Sequence, residues 1–305
     1  MQSHSELVKS IEVLIKAQES KETKLSDVLP HFPGIERVDE LVEEFESRVS
    51  VLLMEQQERY LALFRAFIGK TDEETLQAIL SFYTSEIFDY EVFVQLLRDE
   101  AKKFLTMTVE EFTAAIMEAL DPDVPFQVLS NRTVTWIEDW SNDLAELMNL
   151  STKESVEKVL VEAIKEGKGI DKVEQELMEL KDFDRDRARK TAITEVLTAS
   201  SVAHQESYAQ SPAVVGKKWK HSGTKGINPR ANHQALDGTI VPVDEPFTIP
   251  DSGEQAMHPR DTNLSAKERV NCHCVLGPVV DDSILGLTAE EKQKLRDEAL
   301  AELNA

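Results

Sequence analysis

The stretch "ALDPDVPF" at residues 119–126 decides how the chain is divided. Pro122 and Pro125 each fix φ and lack the amide that a helix needs, so a helix arriving from upstream must stop here. The texture differs on the two sides. Upstream, Val38, Leu41, Val42, Phe45, Val49, Leu52, Leu53, Leu61, Phe64 and Ile68 recur at helical spacing, which predicts a long helix from Glu36 to a C-cap at Gly69. Leu7, Ile11, Leu14 and Ile15 predict a shorter helix before "LPHFPG" (29–34) breaks the chain. Downstream, Val156, Val159, Leu160, Ala163 and Ile164 form a stripe closed by Gly167 and Gly169, and Ile170, Val173 and Leu177 open another. Four hydroxyls stand three residues before a glutamate: Thr71 with Glu74, Thr108 with Glu111, Ser151 with Glu154 and Thr288 with Glu291. Each pair fits a capping box and predicts a helix start.

Beyond Pro212 the apolar runs shorten to "TIVPV" (239–243), "EPFTIP" (245–250) and "VNCHCVL" (270–276), which predict brief strands joined by turns. The expected fold class is α+β and predominantly helical. An extended helical region over 1–121 precedes a small α+β domain with short strands over 122–285, and a C-terminal helix covers 286–305.

With 305 residues, 41% of them hydrophobic, the chain can bury a substantial core. Its 57 acidic against 34 basic residues give a net charge of −23, which disfavours general binding to nucleic acid or anionic membrane. No run of about 18 apolar residues predicts a spanning helix. The N-terminus lacks the basic start and cleavage site of a signal peptide, and two cysteines make no disulfide framework, so a cytosolic protein is expected.

Between Glu206 and Asp237 there is no acidic residue, while Lys217, Lys218, Lys220, Lys225 and Arg230 supply five positive charges, joined by His221 and His233. The run reads either as a solvated loop pairing with acidic helices or as a patch contacting DNA phosphates. Trp219 within it is a core anchor or, less simply, a base-stacking platform. Thr194 and Glu195 lie in a helical pattern with Ala188, Ile193, Val196 and Val202 as its buried face. They are surface residues, or Glu195 anchors loop amides or a basic side chain. In "NHQALDG" (232–238), His233 precedes Asp237–Gly238, a hairpin signal in which Asp237 is most simply an Asx-turn residue.

Read as a strand, "VNCHCVL" puts Cys272 and Cys274 on one face, with Asn271 and His273 on the other. Three readings stay open. The thiols are small apolar fillers; they hold a structural zinc with His233 or His258; or one is a catalytic thiol. No Walker loop, dinucleotide-binding glycine fingerprint, HExxH or serine-triad signature occurs, so catalysis is not expected and no cofactor is called for apart from that zinc alternative.

The order of Thr194–Glu195 in a helix, Trp219, "RANHQALDG" (230–238), "EPF" (245–247), "HPRD" (258–261) and a closing "NCHC" (271–274) resembles the phage Mu F-like minor head proteins, the phage head morphogenesis family. The likeness covers about 125–280. It falls on Thr194, Glu195, Trp219, Arg230, His233, Asp237, Gly238, Asn271, Cys272 and Cys274. Where the family usually has arginine between the cysteines, this chain has His273, which removes a guanidinium and adds a possible metal ligand. The resemblance implies a minor capsid protein of a tailed phage or prophage, present in the virion and in the host cytoplasm during assembly. Its implied partners are the portal and other head proteins and, through packaging or delivery, phage DNA, with no membrane. The alternative is a metal-dependent enzyme or toxin-like domain built on His233, Cys272 and Cys274.

Overall fold

The computed structural model describes residues 24–66, 72–84, 90–223 and 229–305. The expected helix over Leu7–Ile15, the cap at Gly69, the Thr71–Glu74 box and Lys225 lie outside the described residues. The helices in the helical half are α1 (Leu25–Val28), α2 (Val38–Ala66), α3 (Asp72–Thr84), α4 (Tyr90–Leu120), α5 (Asn131–Glu166), α6 (Ile170–Met178) and α7 (Arg185–Gln210). There follow β1 (Val214–Lys220), α8 (Ala231–Ala235), β2 (Ile240–Pro242), β3 (Phe247–Thr248), β4 (Gln255–Ala256), α9 (Ala266–Arg269), β5 (Val275–Val280), α10 (Asp282–Leu285) and α11 (Ala289–Leu303). The class is α+β and predominantly helical. Among the described residues no helix is long and apolar enough to cross a membrane.

Two of the expected helix starts fall inside helices. α4 runs through Thr108, which is fully buried, and α5 runs through Ser151. Leu105, Val109, Phe112 and Ile116 carry one buried stripe across the first position, and Met148 and Val156 bracket the second. Continuous burial of an apolar face outweighs a local capping option worth about 1 kcal/mol. The box at Thr288–Glu291 is a true N-cap: Thr288 Oγ1 accepts from the Glu291 amide, and Glu291 accepts from the Thr288 amide at 3.0 Å.

The chain forms two compact units that interleave along the sequence. The first takes its described residues from 44–102 and 139–191. Its core is aliphatic and aromatic: Leu61, Phe64, Val156, Leu160, Val173 and Leu177, at the predicted helical spacing, pack together with Leu76 and Ile79. Each such side chain contributes roughly 1.5–3 kcal/mol on burial. Its buried carboxylate, Glu46, accepts from Arg185 Nε at 2.6 Å and Arg189 Nη1 at 2.9 Å.

The second unit takes its described residues from 24–43, 103–138 and 192–305. Its part of α7 is buried on all sides from Thr194 to Tyr208, which requires small residues such as Ala199, Ser200, Ala203 and Ser207. Their hydroxyls are satisfied within the helix: Thr198 donates to Thr194 O at 2.7 Å and Ser207 to Ala203 O at 2.7 Å. Glu206, fully buried, accepts from Ser130 N (2.6 Å), Ser130 Oγ (2.8 Å), Thr133 Oγ1 (2.6 Å) and Gln210 Nε2 (2.7 Å). A carboxylate thus sits at the positive end of α5, where the first amides lack helical partners.

A three-stranded antiparallel sheet has the order β2-β1-β5, and β3 and β4 form a separate hairpin. Trp219 of β1 faces Leu276 of β5 across the register. At Gly277 of β5 a Cβ would meet Lys220 Cδ at 2.8 Å, so a larger residue there would displace the Lys220 side chain.

This division differs from the expected succession of 1–121, 122–285 and 286–305. A proline break marks where the backbone turns, whereas compactness depends on which faces meet in space. Helix α4 does end at Leu120 before "ALDPDVPF". The break is nevertheless internal to the second unit, where Lys292 of α11 donates to Asp121 and Asp123 at 3.1 and 2.8 Å. The C-terminal helix is therefore an integral element of that unit.

Candidate functional site

The site grows from the chain between β1 and β2, which is longer than the tight hairpin expected at Asp237–Gly238. Trp219 N donates to Thr239 O and Gly238 N to Trp219 O, both at 2.9 Å, so the turn region is stitched back to β1. Gly238 has φ +80, a conformation suited to glycine. Asp237 does not close its own turn; its Oδ1 accepts from His221 N at 2.8 Å across the loop. Between these ties α8 presents His233 edge-on to Trp219, ring centroids 5.6 Å apart. Trp219 in turn meets Phe247 at 5.3 Å, so it is a core anchor and not a stacking platform.

A second segment approaches from the other side. α9 places Glu268, Asn271 turns the chain at φ +57, and Cys272 and Cys274 follow just ahead of β5. "VNCHCVL" is therefore strand only from Val275 onward. The cysteines still converge: Cys272 Sγ lies 3.5 Å and Cys274 Sγ 3.8 Å from the same atom, His233 Nδ1. Cys272, Cys274 and His233 are each about 2% exposed.

Further residues hold this arrangement. His233 Nε2 contacts Glu268 Oε2 at 3.0 Å, and Glu268 is itself buried. The Glu268 carboxylate fixes the orientation of the imidazole, whose Nδ1 faces both sulfurs. Asn232 Nδ2 reaches both Glu268 oxygens at 3.0 Å, and Asn232 Oδ1 accepts from His233 N at 2.9 Å. Arg260, fully buried with φ +63, donates from Nη1 to the carbonyls of Cys272 and Cys274, each at 2.7 Å, and from Nη2 to Ser201 Oγ. A non-glycine residue persists in that conformation only where its surroundings over-determine it. The charge of Glu195 favours the Arg260 cation, whose own pKa is lowered by burial. Glu195 is itself buried.

The two thiols differ in acidity. A hydrogen bond from Cys274 pulls the Cys272 thiol well below its usual range, helped by His233 and the charge of Arg260. The same bond and burial push Cys274 up. The indole N–H of Trp219, buried without an oxygen or nitrogen partner, favours negative charge on the Cys274 sulfur. A pocket of about 430 Å³ opens on the group, with His221, Arg230 and His273 also on its wall.

Other expected residues lie elsewhere. His258 is buried, its Nδ1 3.1 Å from Pro259 O, and it is not part of the metal-ligating group. Burial lowers its pKa. Thr194 is buried in α7, so the surface reading of Thr194–Glu195 fails. Arg230 Nη2 is taken up by Val270 O. Part of the basic run is withdrawn from any phosphate-contacting surface. Lys217 is fully buried, donating to Gln205 Oε1 at 2.9 Å beneath the Phe247 ring, and burial lowers its pKa to about 8. Lys220 reaches His31 O at 3.2 Å, and Lys218 is half-buried. Strand β1 alternates faces, so a row of lysines cannot all point to solvent.

Sequence reading missed Glu268 and Asn232, and saw Arg260 only as a letter of "HPRD". "AKER" reads as a solvated polar turn, and no spacing signals that its glutamate meets a histidine 35 positions earlier.

The family model described as "Phage Mu protein F like protein" matches residues 154–277, a span that contains the whole site. "Uncharacterized protein YqbB" of Bacillus subtilis (strain 168) is 50% identical over 304 residues, 99% of this chain and 100% of that protein. "NAD(+)--arginine ADP-ribosyltransferase EFV" of Enterococcus faecalis (strain ATCC 700802 / V583) is 30% identical over 149 residues, 48% of this chain but only 29% of that protein. No solved structure matches the chain.

Proposed function

The chain belongs to the phage Mu protein F-like family, and from that premise we propose that it is a minor head protein acting at the portal in phage head assembly. The observation that carries this reading is the family match over 154–277, which includes Glu195, Trp219, His233, Cys272 and Cys274, all of them buried in one unit. Its partners are the portal and other head proteins, and it resides in the virion after assembly in the host cytoplasm. Any part in DNA packaging or delivery runs through the portal; Lys217, the first residue of the basic run, is spent inside the fold. The acidic surface that goes with a net charge of −23 repels a polyanion but suits basic faces of protein partners.

We also propose that the protein has no catalytic turnover. The segment shared with the ADP-ribosyltransferase amounts to 29% of that protein, so its activity has little support here. The test is capture of the full-length chain from cells assembling phage, with mass spectrometry of the captured proteins and of purified particles. Portal protein in the capture and the chain itself in the particles are expected. Particles that lack the chain, or capture without portal, would overturn the portal reading, as ADP-ribosyl transfer or nuclease activity abolished by His233→Ala would overturn the non-catalytic one.

A further inference from the structure

We propose that Cys272, Cys274 and His233 bind one zinc ion through two sulfurs and Nδ1, leaving its fourth position open to the pocket. Geometry comes first. Zinc takes sulfur at about 2.3 Å and imidazole nitrogen at about 2.0–2.1 Å in tetrahedral array, which sets ligand atoms roughly 3.6 Å apart for a sulfur–nitrogen edge. The two such edges here measure 3.5 and 3.8 Å, and all three ligand atoms lie within 4.8 Å of one another. The site therefore has the dimensions of a three-ligand zinc centre.

The surroundings fit as well. A ligating histidine commonly gives its other N–H to a carboxylate that fixes tautomer and ring orientation, and Glu268 stands at that nitrogen, itself fixed by Asn232. Arg260 clamps the carbonyls of both cysteines, so the Cys-x-Cys loop is held open in the chelating shape. Two thiolates balance the charge of one divalent ion, which lowers the cost of holding it among buried groups. Two sulfurs and an imidazole select a soft, tetrahedral ion over magnesium or calcium.

The rival chemistry is a thiolate–imidazole–carboxylate relay with Cys272 as nucleophile. A single imidazole lone pair serves one thiol in such a relay. Here a second sulfur is directed at the same nitrogen, and both sulfurs are almost closed to solvent. Metal ligation uses every one of these groups, whereas the relay leaves Cys274 without a role.

The test uses the full-length reduced protein, so it stands apart from any outcome in head assembly. Zinc titration with a chromophoric competitor is expected to give one ion per chain. Cobalt should give the intense visible bands and sulfur-to-metal charge transfer of a tetrahedral thiolate site. Cys272→Ser and Cys274→Ser should abolish both. Because those variants risk misfolding, Glu268→Gln is the second probe, with an expected 10–100-fold loss of zinc affinity at unchanged stoichiometry. His258→Asn should keep the full stoichiometry. No zinc uptake by folded wild-type protein, or uptake undiminished in the double serine variant, would overturn the proposal. So would rapid alkylation of Cys272 that zinc does not slow, which would favour the nucleophile.

Discussion

The two compact units are stabilised in different ways. The first buries an apolar ladder, with Leu61, Phe64, Val156, Leu160 and Val173 at its centre and, among the described residues, one ion-paired carboxylate, Glu46. The second buries polar groups in quantity: Glu195, His204, Glu206, Lys217, His233, Arg260 and Glu268 are all nearly or fully closed to solvent. An apolar ladder needs only volume and periodicity. A buried polar network needs every partner in place, because each unmade hydrogen bond carries a desolvation cost of about 1–3 kcal/mol. The second unit is consequently the one that can arrange a pocket with defined chemistry, and it is the more sensitive to single polar changes.

Three measurements would break or sharpen this contrast. The largest effect is expected at Glu206. Glu206→Ala leaves Ser130 N, Ser130 Oγ and Thr133 Oγ1 without their acceptor and Gln210 Nε2 with Val128 O alone, and denaturant unfolding should show a loss of about 4 kcal/mol. A loss below about 1 kcal/mol would mean that water replaces the carboxylate and that the network is not tightly specified. Next, Leu160→Ala in the apolar ladder should cost about 3 kcal/mol through its cavity, with no change in pH dependence. A pH-dependent cost there would remove the distinction between the two units.

The most conditional effect, confined to acid pH, concerns His204. Burial lowers its pKa to about 4, with the charges of Arg260, Lys220 and His258 acting in the same direction. Its Nδ1 donates to Ser200 O at 2.6 Å, while its Nε2 is buried without a partner. The unfolded chain, with an ordinary histidine pKa near 6.5, binds this proton before the folded chain does. The contribution is thus fully present above about pH 6.5 and lost as pH falls towards about 4, reaching roughly 3 kcal/mol. Melting curves between pH 7 and 4 should show a shallower acid decline for His204→Gln than for the wild type. Parallel curves would place the acid sensitivity elsewhere.

The legible part of the fold is the part built on period. Val38 to Phe64, Val156 to Ile164 and Ile170 to Leu177 announced their helices because burial on one face repeats every 3.6 residues. Thr288 and Glu291 announced their cap because both groups lie within one turn. Thr108 and Ser151 carried the same local signal and became helix interior, since neighbours far along the chain cover those faces. The basic run misled for a related reason. Charge can be counted along a sequence, but the face of β1 on which Lys217 falls depends on pairing with β2 and β5.

By itself the sequence determined the α+β, mainly helical class, the stop at Leu120, and the convergence of His233 with the two cysteines as one possibility among several. Only the tertiary structure decided that His258 lies apart, that Glu268 and Asn232 orient His233, and that Arg260 holds the cysteine carbonyls. Helices are written by interactions within a few residues, which a linear reading can see. The site is held by contacts between segments 12 to 59 positions apart, and such contacts exist only after the core has folded around them.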